Sequence, residues 1–548
     1  MIRITDALLE SIEEFKNNVQ QFKEGKIEAF KSFGSKMGIY GERGTGTFMV
    51  RPRIPGGVIT LEQFKAISEI TKKYPGIIIR ITTRQDIQLH SVKLDDLGNV
   101  LEDLIKAGLT TKGAGGDGVR NVACSPLSGV AKNEIFDVSQ YVEKVTNHLM
   151  SEPGAMNLPR KLKIAFSNTD EDTANATIAD LGFIAKIVDG MKGFEVYSGG
   201  GLGGSARTAL KLEDFIEDTE VLYYAQAVKE IFEKEGDRTN RHKARLRFVV
   251  NRLGEEEYIE LFKNQLDKIR SERQLSLNLN SKEEKTVSYS NSNLNIDKKY
   301  ERIVFPQKRE GYYSVYIHPE NGSIDTDELD RLLDFIESID YSVSIRLTLT
   351  QGFFVRDLKE EELKKLISIA SKLISTEKLY NSVACVGPII CNFGLCNSQG
   401  LLADIKKTFR NSDSNLQEEL PIIHISGCLN SCGQHQIGEI GFTGRAKRTE
   451  DGFIPAYAVS FGGKVGPGVV KLGEAYGDIP AKKISKFLLD LAALKNDSGY
   501  KEFDEFVKAE DASIKELVLK YSTLESFAKA PELYSDFGTN EKFSVGKK

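Results

Sequence analysis

No run of eighteen or more apolar residues occurs in this 548-residue chain, which excludes a helix spanning a bilayer. A basic excess is also missing. With 79 acidic against 74 basic side chains the net charge is -5, so the chain as a whole lacks the character of a nucleic-acid binder. Cysteine is scarce, six in all, too few for a disulfide-built miniprotein. Histidine is equally scarce and scattered, and no His/Asp/Glu metal constellation or Ser-His-Asp set stands out. His90 and His424 lie in strand-like runs and read as core; His435, in CGQHQ, reads as a neighbour of whatever the nearby cysteines bind. The N-terminus, MIRITDALLESIEEF, is charged and amphipathic, unlike a signal peptide, so a cytoplasmic location is expected. What is present is the balance of a globular protein, 40% hydrophobic and 28% charged, with a length that predicts three or four domains.

The chain repeats itself. IIIRITTRQDIQL (77–89) resembles SIRLTLTQGFFV (344–355) with Arg80 on Arg346. Gly57-Val58-Ile59-Thr60 matches Gly322-Ser323-Ile324-Asp325, and Thr60 with Gln63, like Asp325 with Glu328, reads as a helix N-cap with its partner three residues on. Asn121–Cys124 aligns with Ser382–Cys385, LPRKLKIAF (158–166) with LPIIHISGC (420–428), and VYSGG (196–200) with VSFGG (459–463). Five matches in one order define two copies, roughly 38–265 and 306–525. In each copy, FMVRPRI-like and IIIRITTRQDIQLHSV-like segments read as strands and LEQFKAISEITKKY and LDDLGNVLEDLIKAG as helices, the order of half a ferredoxin-like sandwich. The fold class is therefore α+β, internally duplicated about a pseudo-twofold. Two half-domains form one sandwich and are joined by two larger α/β domains. The expected boundaries are a helical extension at 1–37, half-domains at 38–110 and 301–375, larger domains at 111–270 and 376–525, a polar linker at 271–300 and a polar tail at 526–548.

The two copies carry different chemistry. Five of the six cysteines fall between 385 and 432: Cys385 and Cys391 as C-x5-C, Cys428 and Cys432 as C-x3-C in GCLNSCG, and Cys396 between the pairs. Four thiolates in two pairs suit a [4Fe-4S] cluster, whereas structural zinc more often shows C-x2-C knuckles; four buried core cysteines are the plainer alternative. Flanking Gly427 and Gly433 leave amide N–H groups available to the sulfurs. Cys124 lines up with Cys385 but lacks the rest of the set, and it and Cys396 read as structural. The first copy offers cations instead: Arg84 in TTRQ, Arg120 in GVRN, and Lys161 and Lys163, two apart and hence on one face of an expected strand. Four converging cations make an anion site; taken singly, each is more often a solvated surface charge. Gly199–Gly204 satisfies G-x-G-x-x-G, but no second strand follows at the spacing a dinucleotide site requires. A loop allowing close approach to a large flat cofactor, at Gly200 and Gly201, is the better reading.

Taken in order, TTRQDIQLH, GVRNVAC, LPRKLK, C-x5-C and GCLNSCGQHQIGEIGF resemble the landmarks of the sirohaem-dependent sulfite and nitrite reductases, over about 38 to 525. The resemblance implies a sirohaem coupled to a [4Fe-4S] cluster. It implies Cys385, Cys391, Cys428 and Cys432 as cluster ligands, with Cys432 the shared thiolate. It implies Arg84, Arg120, Lys161 and Lys163 around the substrate, and Arg43, Arg51, Arg53 and Asn121, with the glycine loop, toward the cofactor. The implied reaction is the six-electron reduction of a small oxyanion, sulfite to sulfide or nitrite to ammonia. A second lysine in the K-x-K position, Lys163, resembles the sulfite enzymes, where plant-type nitrite enzymes tend to have Asn, so sulfite is the expected substrate. No flavin or nicotinamide segment is visible, so electrons are expected from a partner, a ferredoxin or a flavoprotein subunit, with neither nucleic acid nor membrane involved. An iron-sulfur electron carrier without sirohaem is the alternative of another class, and it leaves the cations unexplained.

Overall fold

The computed structural model describes residues 2–279 and 296–545; most of the expected linker, 280–295, lies outside the described residues. Two compact units result. The first comprises Met1–Gly201, Arg207–Ile374 and Gly466–Gly468, the second Leu202–Ala206, Ser375–Val465 and Val469–Lys548.

Within the first unit, β1 (Ile39–Gly41), β2 (Phe48–Val50), β4 (Ile78–Ile81) and β5 (Ile87–Val92) form one antiparallel sheet, and β11 (Val304–Pro306), β12 (Tyr313–Ile317), β14 (Ser344–Leu347) and β15 (Phe353–Leu358) form its copy. The fifth strand of each is exchanged. β3 (Val58–Ile59) pairs with β14, Ile59 opposite Ile345, and β13 (Ser323–Ile324) pairs with β4, Ile324 opposite Ile79. The two half-domains thereby share one apolar core, in which Phe64 and Phe353 meet edge to face at 5.8 Å. Gly57 makes the exchange possible. Its φ is +70°, and a Cβ there would lie 2.4 Å from the Leu347 carbonyl oxygen; Gly322, at φ +72°, stands in the same relation to Ile81. Thr60 caps the helix Leu61–Lys73 through a reciprocal box with Gln63, as expected, and Asp325 caps Thr326–Glu337 through the Asp327 and Glu328 N–H groups.

The segment 77–92, expected as one strand, is instead a hairpin. The Thr82 hydroxyl accepts the N–H groups of Arg84 and Asp86, and Gln85 takes φ +59°, so the chain reverses between β4 and β5.

The first unit also holds a mixed sheet, β10-β9-β8-β7-β6, made of β6 (Ala123–Cys124), β7 (Ile164–Ser167), β8 (Leu181–Val188), β9 (Met191–Ser198) and β10 (Leu210–Glu217). Asp189 and Gly190, both at positive φ, turn β8 into β9. Four helices, Ser139–Ser151, Val221–Glu235, Leu246–Leu253 and Glu255–Glu272, bury its apolar face. No helix follows Gly199–Gly204 directly; β10 does, which removes the dinucleotide motif.

The second unit repeats this sheet as β16 (Val383–Ala384), β17 (Ile423–Ser426), β18 (Ile440–Thr449), β19 (Gly452–Phe461) and β20 (Glu474–Pro480), backed by the helices Ser398–Arg410, Ile484–Ser498 and Asp511–Tyr521. Strand ladders correct the alignment of the copies. Ser125 N–H donates to Phe166 O as Cys385 N–H does to Ile425 O, so Ser125, not Cys124, occupies the place of Cys385. β7 begins six residues after Leu158 and β17 three after Leu420, so the shared Leu-Pro is not the register. The loops that follow agree instead in backbone: Asp172 and Asn175 take positive φ where Ser431 and Gln434 do. Thr169 and Thr173 therefore stand where the second copy has Cys428 and Cys432. Part of the expected polar tail is core: Leu533 and Tyr534 are buried against Ile454, and Asp536 is buried too.

Candidate active site and cluster ligands

Hydrogen bonds to backbone carbonyls hold together the segments that carry the cations of the first unit. Asn121 Nδ2 donates to the Ile54 carbonyl at 2.7 Å and the Arg84 carbonyl at 3.1 Å, tying β2's continuation to the β4–β5 turn. Arg84 Nη2 donates to Ile164 O at 2.8 Å, at the start of β7. Arg51 and Arg120 both donate to Ala114 O, and Arg53, wholly buried, donates to Val119 O at 2.8 Å. Lys161 and Lys163 lie before β7 rather than on it; Leu162 between them bridges to Val119, and the Lys163 N–H is held by Asp180 Oδ2 at 2.8 Å.

Electrostatics shows how crowded these charges are. Burial, then Arg84, Lys161 and Arg245, hold the Lys163 ammonium well below its ordinary range. Burial brings Arg84 and Arg53 down to about 10. Burial pushes Asp86 up to about 6, against the pull of Arg51, Arg53 and Arg84. Several guanidinium N–H groups are buried with no protein acceptor: Nε of Arg51, Arg84 and Arg120, and Nε and Nη1 of Arg53. Buried donors left idle are costly, and an anionic ligand would satisfy them.

Sequence reasoning missed Arg245, Arg247 and Asp180. Arg245 forms a buried ion pair with Asp180 at 2.9 Å and, with Arg247, approaches Gly201, where a Cβ would lie 2.9 Å from Arg247 Nη1. The alternating arginines of KARLRF were the available signal. A Cβ on Gly200 would meet the Ala179 carbonyl at 2.7 Å, so both glycines have a steric reason within the protein itself. Arg43 lies in the β1–β2 loop, which is fastened by Glu42 to His90 Nδ1 at 2.6 Å.

In the second unit, Cys385 follows β16, Cys391 lies in the loop after it, and Cys428 and Cys432 occupy the turn after β17. The thiols feel one another. Burial and Cys432 raise Cys385 to about 11; burial, Cys432 and Cys391 raise Cys428. Among the described residues no three His, Cys, Asp or Glu side chains converge as for a single metal ion. A four-iron cluster asks for a wider set, one thiolate per iron. Cys124 and Cys396 are wholly buried; Cys396 Sγ donates to Arg445 O at 3.1 Å, and burial raises Cys124 to about 12. No disulfide forms among the six.

Sequence models of one family match most of this framework. The nitrite/sulfite reductase ferredoxin-like half domain matches residues 40–107 and 305–373, and the nitrite and sulphite reductase 4Fe-4S domain matches 115–269. The chain belongs to the nitrite and sulphite reductase family. It is a sirohaem oxidoreductase, and its cofactors are sirohaem and a [4Fe-4S] cluster. The 115–269 match covers Arg120, Lys161 and Lys163, while Cys385, Cys391, Cys428 and Cys432 lie beyond it. Similar proteins include a ferredoxin–nitrite reductase of Synechococcus elongatus, 29% identical over 77% of this chain and 81% of the relative. Another is the chloroplastic ferredoxin–nitrite reductase of Zea mays, 29% identical over 81% and 78%. An assimilatory ferredoxin-dependent nitrite reductase of Haloferax mediterranei is 27% identical over 84% and 82%. The Mycobacterium tuberculosis NirA protein shares the fold, with a TM-score of 0.74, 23% identity, and coverage of 92% of this chain and 97% of that one. The residues fit both groups in chemistry: four thiols, with Cys432 acting on Cys385 and Cys428 and Cys391 on Cys428, for the cluster, and buried guanidinium donors without acceptors for a polycarboxylate macrocycle. No described helix is long and apolar enough to cross a membrane.

Proposed function

We propose that this enzyme reduces nitrite to ammonia, taking six electrons one at a time from a ferredoxin. The observation carrying the substrate is the relatives: proteins similar over three quarters or more of this chain bear the name ferredoxin–nitrite reductase. When bound, the cluster would relay the ferredoxin's electrons and the sirohaem would supply the iron at which the oxyanion is reduced. In this reading Cys385, Cys391, Cys428 and Cys432 would hold the cluster, and Cys432 would serve both cofactors. Arg43, Arg51 and Arg53 would hold the carboxylates of the macrocycle, Asn121 would act by tying the Ile54 and Arg84 backbone together, and Gly200 and Gly201 would leave room for the ring.

Arg84, Arg120, Lys161 and Lys163 hold the nitrite oxygens and offset their charge as negative charge accumulates. Seven protons must enter for each nitrite that leaves as ammonia and two waters. Lys163 is suited to deliver them, because burial, and then its cationic neighbours, hold its ammonium well below the ordinary range and ease proton release at Nζ.

The test is electron counting: reduced ferredoxin oxidised against ammonia formed. Six equivalents per ammonia support the reading; two-electron products without ammonia refute it. Lys163 favours a second reading, sulfite to sulfide, since a lysine there resembles the sulfite enzymes. The sequence-based preference for sulfite yields to the relatives' names, and Lys163 keeps sulfite as the competitor to measure.

A further inference from the structure

Cys385 does not stand alone at its proposed iron. Its Sγ lies 3.2 Å from the Ser398 hydroxyl and accepts the Gly427 N–H at 3.2 Å. Ser398 is wholly buried and is the first residue of the helix Ser398–Arg410. As a thiol, Cys385 can point its S–H to Ser398 Oγ while Ser398 O–H donates to the Cys385 carbonyl at 2.8 Å. A metal-bound thiolate has no proton to give. Two acceptors would then face each other at 3.2 Å unless the hydroxyl turns its hydrogen to the sulfur.

The position of that hydroxyl is fixed from outside the loop. Asn397, the N-cap, accepts Gly400 N–H at 3.0 Å. Its own N–H donates to Asp536 Oδ2 at 2.8 Å, and its Nδ2 to Phe537 O at 3.0 Å. Asp536 is itself buried and braced by the Phe537 N–H at 2.8 Å. The C-terminal segment thus straps the start of this helix beside Cys385.

We propose that Ser398, held by the Asn397–Asp536 strap, donates a hydrogen bond to the Cys385 thiolate and thereby sets the reduction potential of the cluster. Reduction adds negative charge to the cluster sulfurs, and a donor to a sulfur stabilises that charge, so the hydroxyl raises the potential. Ser398 is a positioning residue: it touches the ligand, not the substrate. The proposal rests on Cys385 being a cluster ligand.

The test is a redox titration of the cluster in the anaerobically purified holoenzyme, followed by electron paramagnetic resonance, with iron content measured in parallel. Ser398→Ala should keep a full complement of iron and shift the potential to more negative values. A tenfold change in the one-electron equilibrium reads as ~59 mV. Ser398→Thr, which keeps the hydroxyl, should restore the wild-type potential. An unshifted potential in a fully loaded Ser398→Ala enzyme overturns the proposal. If the alanine variant loses iron, recovery of both iron and potential by threonine supports it; loss in both variants assigns the position to packing and overturns it. Cys385→Ala separates the two claims, because a cluster that survives that change removes the ligand reading itself.

Discussion

Lys163 is the side chain on which the substrate question turns. Its ammonium is crowded by Arg84, Lys161 and Arg245, and it lies where the resembling sulfite enzymes keep a second lysine. Lys163→Asn should raise the ratio of kcat/KM for nitrite over sulfite; an unchanged ratio removes Lys163 as the discriminator. Asp86 makes a prediction of another kind. Burial lifts its folded pKa to about 6, above the ~3.9 of an unfolded aspartate. The folded state therefore holds the proton more tightly, and the stability this lends is full at low pH and lost as pH rises through about 6. Asp86→Asn can keep the acceptor for the Ile54 N–H and does not titrate. In cofactor-free protein, the advantage of wild type over Asp86→Asn should shrink by on the order of 1 kcal/mol between about pH 5 and pH 7.5 in chemical denaturation. A difference that stays flat contradicts the burial argument. Single-residue chemistry was partly legible: cysteine spacing and the repeated cationic motifs singled out four thiols and a set of cations, of which Arg84 and Lys161 lie close enough to Lys163 to depress its pKa. Arg245 and Asp180 were not legible, because their pairing joins segments 65 residues apart and leaves no spacing signal.

Among the elements, caps read well and registers read poorly. The Thr60–Gln63 box is a local pattern with a local cause, so sequence alone locates it. Thr60→Ala should lower stability by about 1 kcal/mol, seen as a shift of the denaturation midpoint; no shift would mean the half-domain sheet alone fixes that helix. Strand register is set by partners far away in sequence. The ladders put Ser125 in the place equivalent to Cys385, and the matching loop backbone puts Thr169 and Thr173 in the places equivalent to Cys428 and Cys432, a correspondence that residue similarity hid because no cysteine marks it. The β4–β5 reversal was missed for a related reason. Thr82 and Gln85 make the turn through hydrogen bonds and a positive φ, without the glycine or proline that usually announces one. The buried C-terminal segment was missed because Leu533 and Tyr534 are two apolar residues in a polar stretch, too few to show a period.

On the scale of the whole molecule, duplication is the organising fact, and it was legible because like segments recur in like order. What could not be read was that β3 and β13 change places, so that each half-domain sheet is completed by the other copy. Gly57 sits at that crossing. Gly57→Ala puts a Cβ 2.4 Å from Leu347 O and should destabilise by about 2–4 kcal/mol. Gly44→Ala, with the same positive φ but nothing within 4 Å, should lose only about 1 kcal/mol. Equal losses in denaturation would refute the steric reading of the exchange. The duplicated frame carries cations in its first copy and thiols in its second, and the account assigns both to one reaction. The most direct test is steady-state kinetics of the wild-type holoenzyme with reduced ferredoxin, comparing nitrite and sulfite. The account predicts a higher kcat/KM for nitrite, with ammonia as product; a higher kcat/KM for sulfite, or turnover of neither, would contradict it.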